Sequence, residues 1–136
     1  MEYIKPKTSK IEEILLYFIC RAGVYPFDKM GVAPYLTFLD KVRAENIEGV
    51  FIPEDQSELL ELLAETLLTM QDKGIITIGE GDYVFPFRDF DATKISFKDA
   101  QKIALITNVL TRSDWAYYSG IAWAMTQENE GKTWES

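Results

Sequence analysis

One stretch near the middle of the chain constrains the fold more than any other. Leu67–Phe87 reads LLTMQDKGIITIGEGDYVFPF, a leucine-rich helical pattern that stops at Gly74 and is followed by two short apolar runs around a polar turn. A glycine just after a helical pattern is typical of a helix C-terminus, and paired runs around a glycine-containing turn predict a β-hairpin. We expect a long helix over residues 57–73, capped by its first residue, and strands at 75–78 and 83–87.

Capping residues and apolar spacing predict further elements on both sides of this stretch. Ser9 followed by Glu12 matches the capping box of a helix N-terminus, and a proline fits the first turn of a helix. Apolar residues at three- and four-residue spacing extend each pattern. The remaining predicted elements are a helix capped by Ser9, a short helix from Asp28 to Val32, a helix from Pro34, a strand at Ile47–Ile52, and helices capped by Ser96 and Ser113.

These elements predict an α+β fold that is mostly α-helical. The chain has 136 residues and a hydrophobic share of 47%, so it can bury a core without disulfides and is expected to be a single domain over 1–136. Residues 9–91 would form a winged-helix-like core of three N-terminal helices, a short strand, the long helix and the hairpin. Residues 94–126 would add a C-terminal helical pair, and 127–136 a polar tail.

The composition excludes several kinds of chemistry. There is no histidine and one cysteine, Cys20, so imidazole catalysis and a zinc cluster are ruled out. Cys20 is interpreted as a structural thiol. The segment Arg88–Asp91 offers two carboxylates, too few for a calcium loop, and is interpreted as a solvated loop. We therefore expect no enzymatic activity, cofactor or metal, and a carboxylate-based hydrolase has no motif behind it.

Targeting signals are the next feature of the sequence. The first ten residues, MEYIKPKTSK, have no apolar segment of the kind found in signal peptides, and no run of about 18 apolar residues occurs. We expect a cytoplasmic protein without a membrane span.

The charge is unevenly distributed along the chain. Its 14 basic and 22 acidic residues give a net charge of -8, and no Lys or Arg lies between Ala44 and Asp72. On the long helix Glu58, Glu61 and Glu65 fall on one stripe, and the hairpin turn, GEGD, is also acidic. Such a surface repels a phosphate backbone. The stripe is either a solvated helix face or a docking face for a basic protein partner.

A DNA-binding function stays open as the alternative. Winged helices with this helix–hairpin plan often bind DNA, and Lys94, Lys98 and Lys102 lie four residues apart. A winged-helix transcriptional regulator would use these lysines at the phosphates, and its affinity would fall steeply as salt rises. Three lysines at this spacing are more typical of a solvated helix face.

The end of the chain carries the tryptophans. Trp115 and Trp123 lie in the predicted C-terminal helices, and Trp115 is expected to pack in the core. Trp134 follows a polar stretch. It either folds back on the core or anchors a partner, since aromatic side chains are enriched at interface centres.

Several motifs resemble one family in chain order. KIEEILLYFICRAG followed by PYLTFLDKV is similar to the opening of the Panacea family of antitoxin domains. The strand IEGVFI, a proline-bounded loop, a long helix closing in GII and a hairpin follow as in that family. The tail MTQENEGKTW resembles its ending. There are two departures: Gln127 replaces the usual histidine, and only Phe51–Pro53 stands where the family has Tyr-Gly-Pro.

The resemblance implies a non-enzymatic antitoxin that neutralises a toxin by direct binding. Some members of the family act instead as adaptors that deliver a toxin to a protease. The matched tail positions are Thr126, Glu130, Gly131 and Trp134. The predicted partner-binding residues are therefore Glu58, Glu61, Glu65, Thr126, Gln127, Glu130, Gly131 and Trp134, facing a protein partner with a basic surface.

Overall fold

The computed structural model describes residues 7–22, 26–28 and 31–110. The elements in chain order are α1 (Lys10–Ala22), α2 (Val32–Ala44), α3 (Gln56–Asp72), β1 (Ile76–Ile78), β2 (Val84–Pro86) and α4 (Phe97–Val109), with 3₁₀ turns at Glu80–Asp82 and Ala92–Lys94. The predicted α+β, mostly helical class is confirmed. The helix predicted from Ser113 and the polar tail lie outside the described residues.

Helix α1 is the central element of the core. It contacts α3, α4 and β2, while α2 packs on α3 and α4. Its run ILLYFI is apolar on all sides, and a helix of that kind is stable only when it is surrounded. Phe18 is fully buried there, stacked on Phe38 at 4.5 Å between ring centroids and edge-on to Tyr35 at 5.6 Å. The core therefore forms around α1.

Local sequence signals set the N-termini of α1 and α4 as predicted. The Ser9 N–H donates to Glu12 Oε1 at 2.7 Å and the Glu12 N–H donates to Ser9 Oγ at 3.3 Å, which is a capping box. Ser96 Oγ accepts from the Asp99 N–H at 3.2 Å. Phe97, the first residue of α4, is 79% exposed.

The two ends of α3 compare differently with the prediction. Its C-terminus is confirmed at Gly74, which has φ +73°, and the Ile75 N–H donates across it to the Met70 carbonyl at 3.0 Å. The predicted N-cap, Ser57, is wrong. The helix begins at Gln56, and Asp55 Oδ1 accepts from the Glu58 N–H at 3.0 Å. A carboxylate two residues earlier provides the cap.

The strand predicted at Ile47–Ile52 is also wrong. The chain turns at positive φ at Asn46 (+52°), just before this segment, and at Gly49 (+79°) within it. Ile47 and Ile52 point into the core, whereas Phe51 is 84% exposed. Among the described residues the strands β1 and β2 pair only with each other, so this segment has no ladder partner and folds as a loop.

The connection from α1 to α2 is irregular where it is described. The short helix expected from Asp28 is not found in the described residues of this segment, which are a bridge, bends and a turn before α2 begins at Val32. Asp28 Oδ1 accepts from the Gly31 N–H at 2.8 Å. A Cβ on Gly31 would lie 1.9 Å from the Pro26 carbonyl oxygen, so only glycine fits here.

The hairpin is present and shorter than predicted. β1 and β2 are antiparallel with Thr77 opposite Phe85, and the turn between them includes Gly81 at φ +77°. Val84 faces the core and is fully buried. The hairpin packs on α1 and on the end of α3.

Candidate partner-binding face

The outer side of α3 carries an acidic face, defined here as Glu58, Glu61 and Glu65. All three side chains are exposed, as the sequence predicted. Opposite them Leu59, Leu63, Leu67 and Met70 are buried against the rest of the core. Within the described part of the chain no basic side chain pairs with the three carboxylates, so their charge is open to a partner.

An exposed leucine borders the acidic face. Leu68 is 51% exposed and follows Glu65 by three residues and Glu61 by seven, a spacing that places the three on one side of a helix. Leu60 is also exposed, to 42%. The face thus combines carboxylates with apolar area that a partner would cover.

A hollow of about 320 Å³ lies on the α1 side of the acidic face. Ile11 and Glu12 of α1 form one wall, and Glu65, Thr66 and Thr69 of α3 form the other. Ser9 and Lys73 complete its lining. Glu65 therefore belongs both to the acidic face and to the hollow.

Glu12 is the buried carboxylate of that hollow, with an exposed fraction of 4%. Its Oε1 accepts three hydrogen bonds, from the Ser9 N–H at 2.7 Å, from Ser9 Oγ at 3.0 Å and from Lys73 Nζ at 2.7 Å. Its Oε2 is buried and accepts no hydrogen bond within the described residues. Unsatisfied buried carboxylate oxygens are costly in protein interiors.

The neighbouring Glu13 is fully buried and fully paired. Arg88 donates two hydrogen bonds to it, from Nη2 to Oε2 at 2.5 Å and from Nη1 to Oε1 at 3.2 Å. The Asp91 N–H also donates to Oε1, at 3.0 Å. Thr8 Oγ1 donates to Oε2 as well. Burial raises the pKa of Glu13, but these hydrogen bonds outweigh it and hold the pKa below its ordinary value. Glu13 is therefore structural.

The loop after β2 is an anchoring segment, which corrects its interpretation as a solvated loop. Besides Arg88, it contributes Asp89, which forms a two-bond pair with Arg21 at 2.9 and 3.1 Å. The Arg21 hydrogen bond lowers the pKa of Asp89. Asp91 Oδ1 accepts from the Thr93 N–H at 3.0 Å and so caps a 3₁₀ turn. Among the described residues no His, Cys, Asp and Glu cluster is suited to a metal.

Cys20 lies beside this loop and is half-buried. Its thiol donates to the Arg88 carbonyl at 3.4 Å. Burial, with the nearby Asp89 carboxylate, raises the pKa of the thiol and disfavours the nucleophilic thiolate. This surrounding agrees with the structural role expected for it.

The lysines of the DNA alternative lie at the start of α4 and just before it. Lys94 and Lys98 are exposed, whereas Lys102 is half-buried with Nζ 3.5 Å from the Glu45 carbonyl. The hairpin turn exposes Glu80 and Asp82. A duplex that contacted this turn would meet carboxylates.

The five tail residues of the predicted site are Thr126, Gln127, Glu130, Gly131 and Trp134. They lie outside the described residues, as do the tryptophans Trp115 and Trp123. The structure therefore brings together Glu58, Glu61 and Glu65 only.

The hollow and its buried carboxylate were missed by the sequence interpretation. The signal was present in the run ILLYFI, because a helix that is apolar on all sides is surrounded, and two glutamates at its start must then be buried with partners. The partners themselves, Lys73 and Arg88, are far away in sequence.

Comparisons with known proteins identified no relative of this chain. No protein-family model, no curated protein and no solved structure matches the chain. In the described part, none of the helices has the length and apolar character needed to cross a membrane.

Proposed function

We propose that this chain is a non-enzymatic, antitoxin-like protein-binding module that neutralises a partner protein with a basic surface by direct binding. The observation that carries the proposal is the acidic face. Three exposed carboxylates on α3 have no cation among the described residues, whereas Glu12, Glu13 and Asp89 are each held by one. The ion pairs of the described residues therefore leave this face unneutralised.

The chemistry of the face fits a basic protein. Clustered carboxylates on a chain with a net charge of -8 steer a cationic partner and speed its association. Burial of Leu68 at the edge of the face would supply contact area that slows dissociation. The tail residues Thr126, Gln127, Glu130, Gly131 and Trp134 remain the predicted second contact.

The proposal includes a winged-helix-like core. Its support is the order of α1, α2 and α3 with the hairpin directly after α3, and the contact between α3 and β1. In this arrangement α3 would occupy the place of a recognition helix, but with carboxylates on its outer side. The core would then be a scaffold for a protein contact.

Capture from the native host lysate tests the proposal, with nuclease present. The tagged wild-type protein is compared with the variant Glu58→Lys, Glu61→Lys, Glu65→Lys. We expect the wild type to retain a stoichiometric protein and the variant to retain about tenfold less of it, or lower still. Each charge reversal removes an attraction and adds a repulsion.

The matched control carries the same change in charge elsewhere. Glu45→Lys, Glu54→Lys, Glu80→Lys reverses three exposed carboxylates outside the acidic face. It is expected to keep the partner, and circular dichroism verifies that both variants fold. Equal retention by the acidic-face variant would remove this face from the proposal.

The DNA-binding alternative has one observation in its favour, the exposure of Lys94 and Lys98. Its test is retention of duplex DNA without nuclease as salt is raised. Binding that weakens steeply with salt, and that is lost on Lys94→Gln, Lys98→Gln, would favour a transcriptional regulator.

A further inference from the structure

We infer that the hollow between α1 and α3 receives one arginine side chain of the protein partner. The inference rests on the proposed function, since it assigns the partner's chemistry at the edge of the acidic face. Its elements are the buried carboxylate of Glu12, the rim carboxylate of Glu65 and the hydroxyls of Thr66 and Thr69.

The charges of the hollow leave room for a single cation. Among the described residues of the lining, Glu12 and Glu65 are carboxylates and Lys73 is basic. Two negative charges and one positive charge leave one negative charge. Lys73 Nζ is bound to Glu12 Oε1 at 2.7 Å, and Arg88 is bound to Glu13, so neither of these cations neutralises the remaining negative charge.

Beside the Lys73 ammonium, the hollow presents several hydrogen-bond acceptors. Glu12 Oε2 is buried and accepts nothing within the described residues. Thr66 Oγ1 donates its proton to the Leu62 carbonyl at 2.7 Å, so its oxygen can only accept from a ligand. Glu65 adds a carboxylate at the rim. A ligand that pairs with these acceptors must therefore offer donors.

An arginine side chain meets this requirement. The guanidinium has five N–H donors in a planar fork and no acceptor, and it bonds to carboxylates through two parallel hydrogen bonds. The fork would bond to the Glu65 carboxylate at the rim, with its charge directed toward the buried carboxylate of Glu12. Arginine is also less strongly hydrated than lysine, so it enters a half-enclosed site more readily.

A titration of the full chain followed by NMR tests the inference directly. The probe is N-acetyl-arginine amide, and the uncharged N-acetyl-citrulline amide at matched ionic strength is its control. We expect saturable shifts of the Thr66, Thr69 and Lys73 amides with the arginine probe. Binding of the citrulline probe is expected to be about tenfold weaker, because charge-assisted hydrogen bonds are about twice as strong as neutral ones.

Two conservative variants locate the binding. Glu65→Gln is expected to weaken the arginine probe about tenfold, since one charge-assisted hydrogen bond is lost. Glu58→Gln, which alters an exposed carboxylate of the same face about two helical turns away, is expected to leave it unchanged. Both positions are exposed, so folding is preserved and the comparison does not depend on a variant of the buried Glu12.

The inference is overturned if the wild-type chain shows no saturable shift at these three amides, if the citrulline probe binds equally, or if Glu65→Gln binds as well as the wild type. None of these results bears on capture by the acidic face. If capture depends on Glu58, Glu61 and Glu65 but the hollow ignores arginine, the proposed function stands and the arginine assignment fails.

Discussion

Glu13 shows how much one ionised side chain depends on its counterion. Its exposed fraction is 0%, and its counterion Arg88 lies 75 residues further along the chain. Arg21 of the same helix also pairs with the loop after β2, through Asp89, but both of those side chains are exposed. The chain thus contains a buried and an exposed version of one type of contact, which permits a matched comparison.

We expect Arg88→Met to lower the free energy of unfolding by about 3–5 kcal/mol, because it leaves the buried Glu13 carboxylate without its cation. Arg21→Met is the control and should cost no more than about 1 kcal/mol, since exposed ion pairs contribute little. Urea unfolding at neutral pH measures both values. Similar losses in the two variants would show that burial does not govern the contact.

The lowered pKa of Glu13 predicts a dependence of stability on pH. At the Glu13 carboxylate, the unfolded chain binds a proton more readily than the folded chain does. The contribution of ionised Glu13 to the free energy of unfolding is therefore complete above the ordinary pKa of 4.5. It is lost as pH falls through the lower pKa of the folded state. The difference in unfolding free energy between wild type and Glu13→Gln should be constant near neutral pH and shrink below about pH 4. A difference that stays constant in acid would contradict it.

At the scale of the element, α3 begins one residue before the serine that the sequence pattern favours. Asp55 and Ser57 both belong to the residue types that cap helices, and pattern alone does not choose between them. The structure places the Glu58 N–H 3.0 Å from Asp55 Oδ1. A carboxylate at this end also interacts well with the helix dipole.

We expect Asp55→Ala to destabilise the protein by about 1 kcal/mol through loss of this cap. Ser57→Ala, inside the first turn, should change stability by less than about 0.5 kcal/mol, as exposed positions away from such features usually do. Thermal unfolding of the two variants gives the comparison. A larger loss from Ser57→Ala would return the cap to Ser57.

Elements set by contiguous residues were predictable from the sequence. Three features depend on residues that are close in sequence: the capping box at Ser9, the helix end at Gly74 and the hairpin after it. The segment Ile47–Ile52 was predicted wrongly because an apolar alternation becomes a strand only beside another strand. Local pattern carries no information about that partner.

The candidate site divides in the same way. Exposure of Glu58, Glu61 and Glu65 follows from helical periodicity and was predicted. The burial of Glu12 and Glu13 was not, because their partners Lys73 and Arg88 lie 61 and 75 residues away. A single sequence does not show which distant cations meet which acids.

At the scale of the whole molecule, the position of α1 predicts where stability is concentrated. α1 contacts α3, α4 and β2, whereas the sheet of the described residues has two strands and exposes Phe85. Native-state hydrogen exchange should show the amides of Ile14–Ile19 opening only with global unfolding. Amides of the hairpin should open locally, with a weaker dependence on denaturant. The reverse order would contradict a core centred on α1.

The long separation between α1 and its cations has a consequence for synthesis of the chain. Proteins emerge from the ribosome N-terminus first, so α1 appears with Glu12 and Glu13 before Lys73 and Arg88 have been added. Burying two unpaired carboxylates is unfavourable, so we expect α1 to stay exposed to solvent until both cations have been synthesised. We expect the nascent chain to gain its core in one late step, after the hairpin has left the ribosome, and to depend until then on the solubility of those two acids.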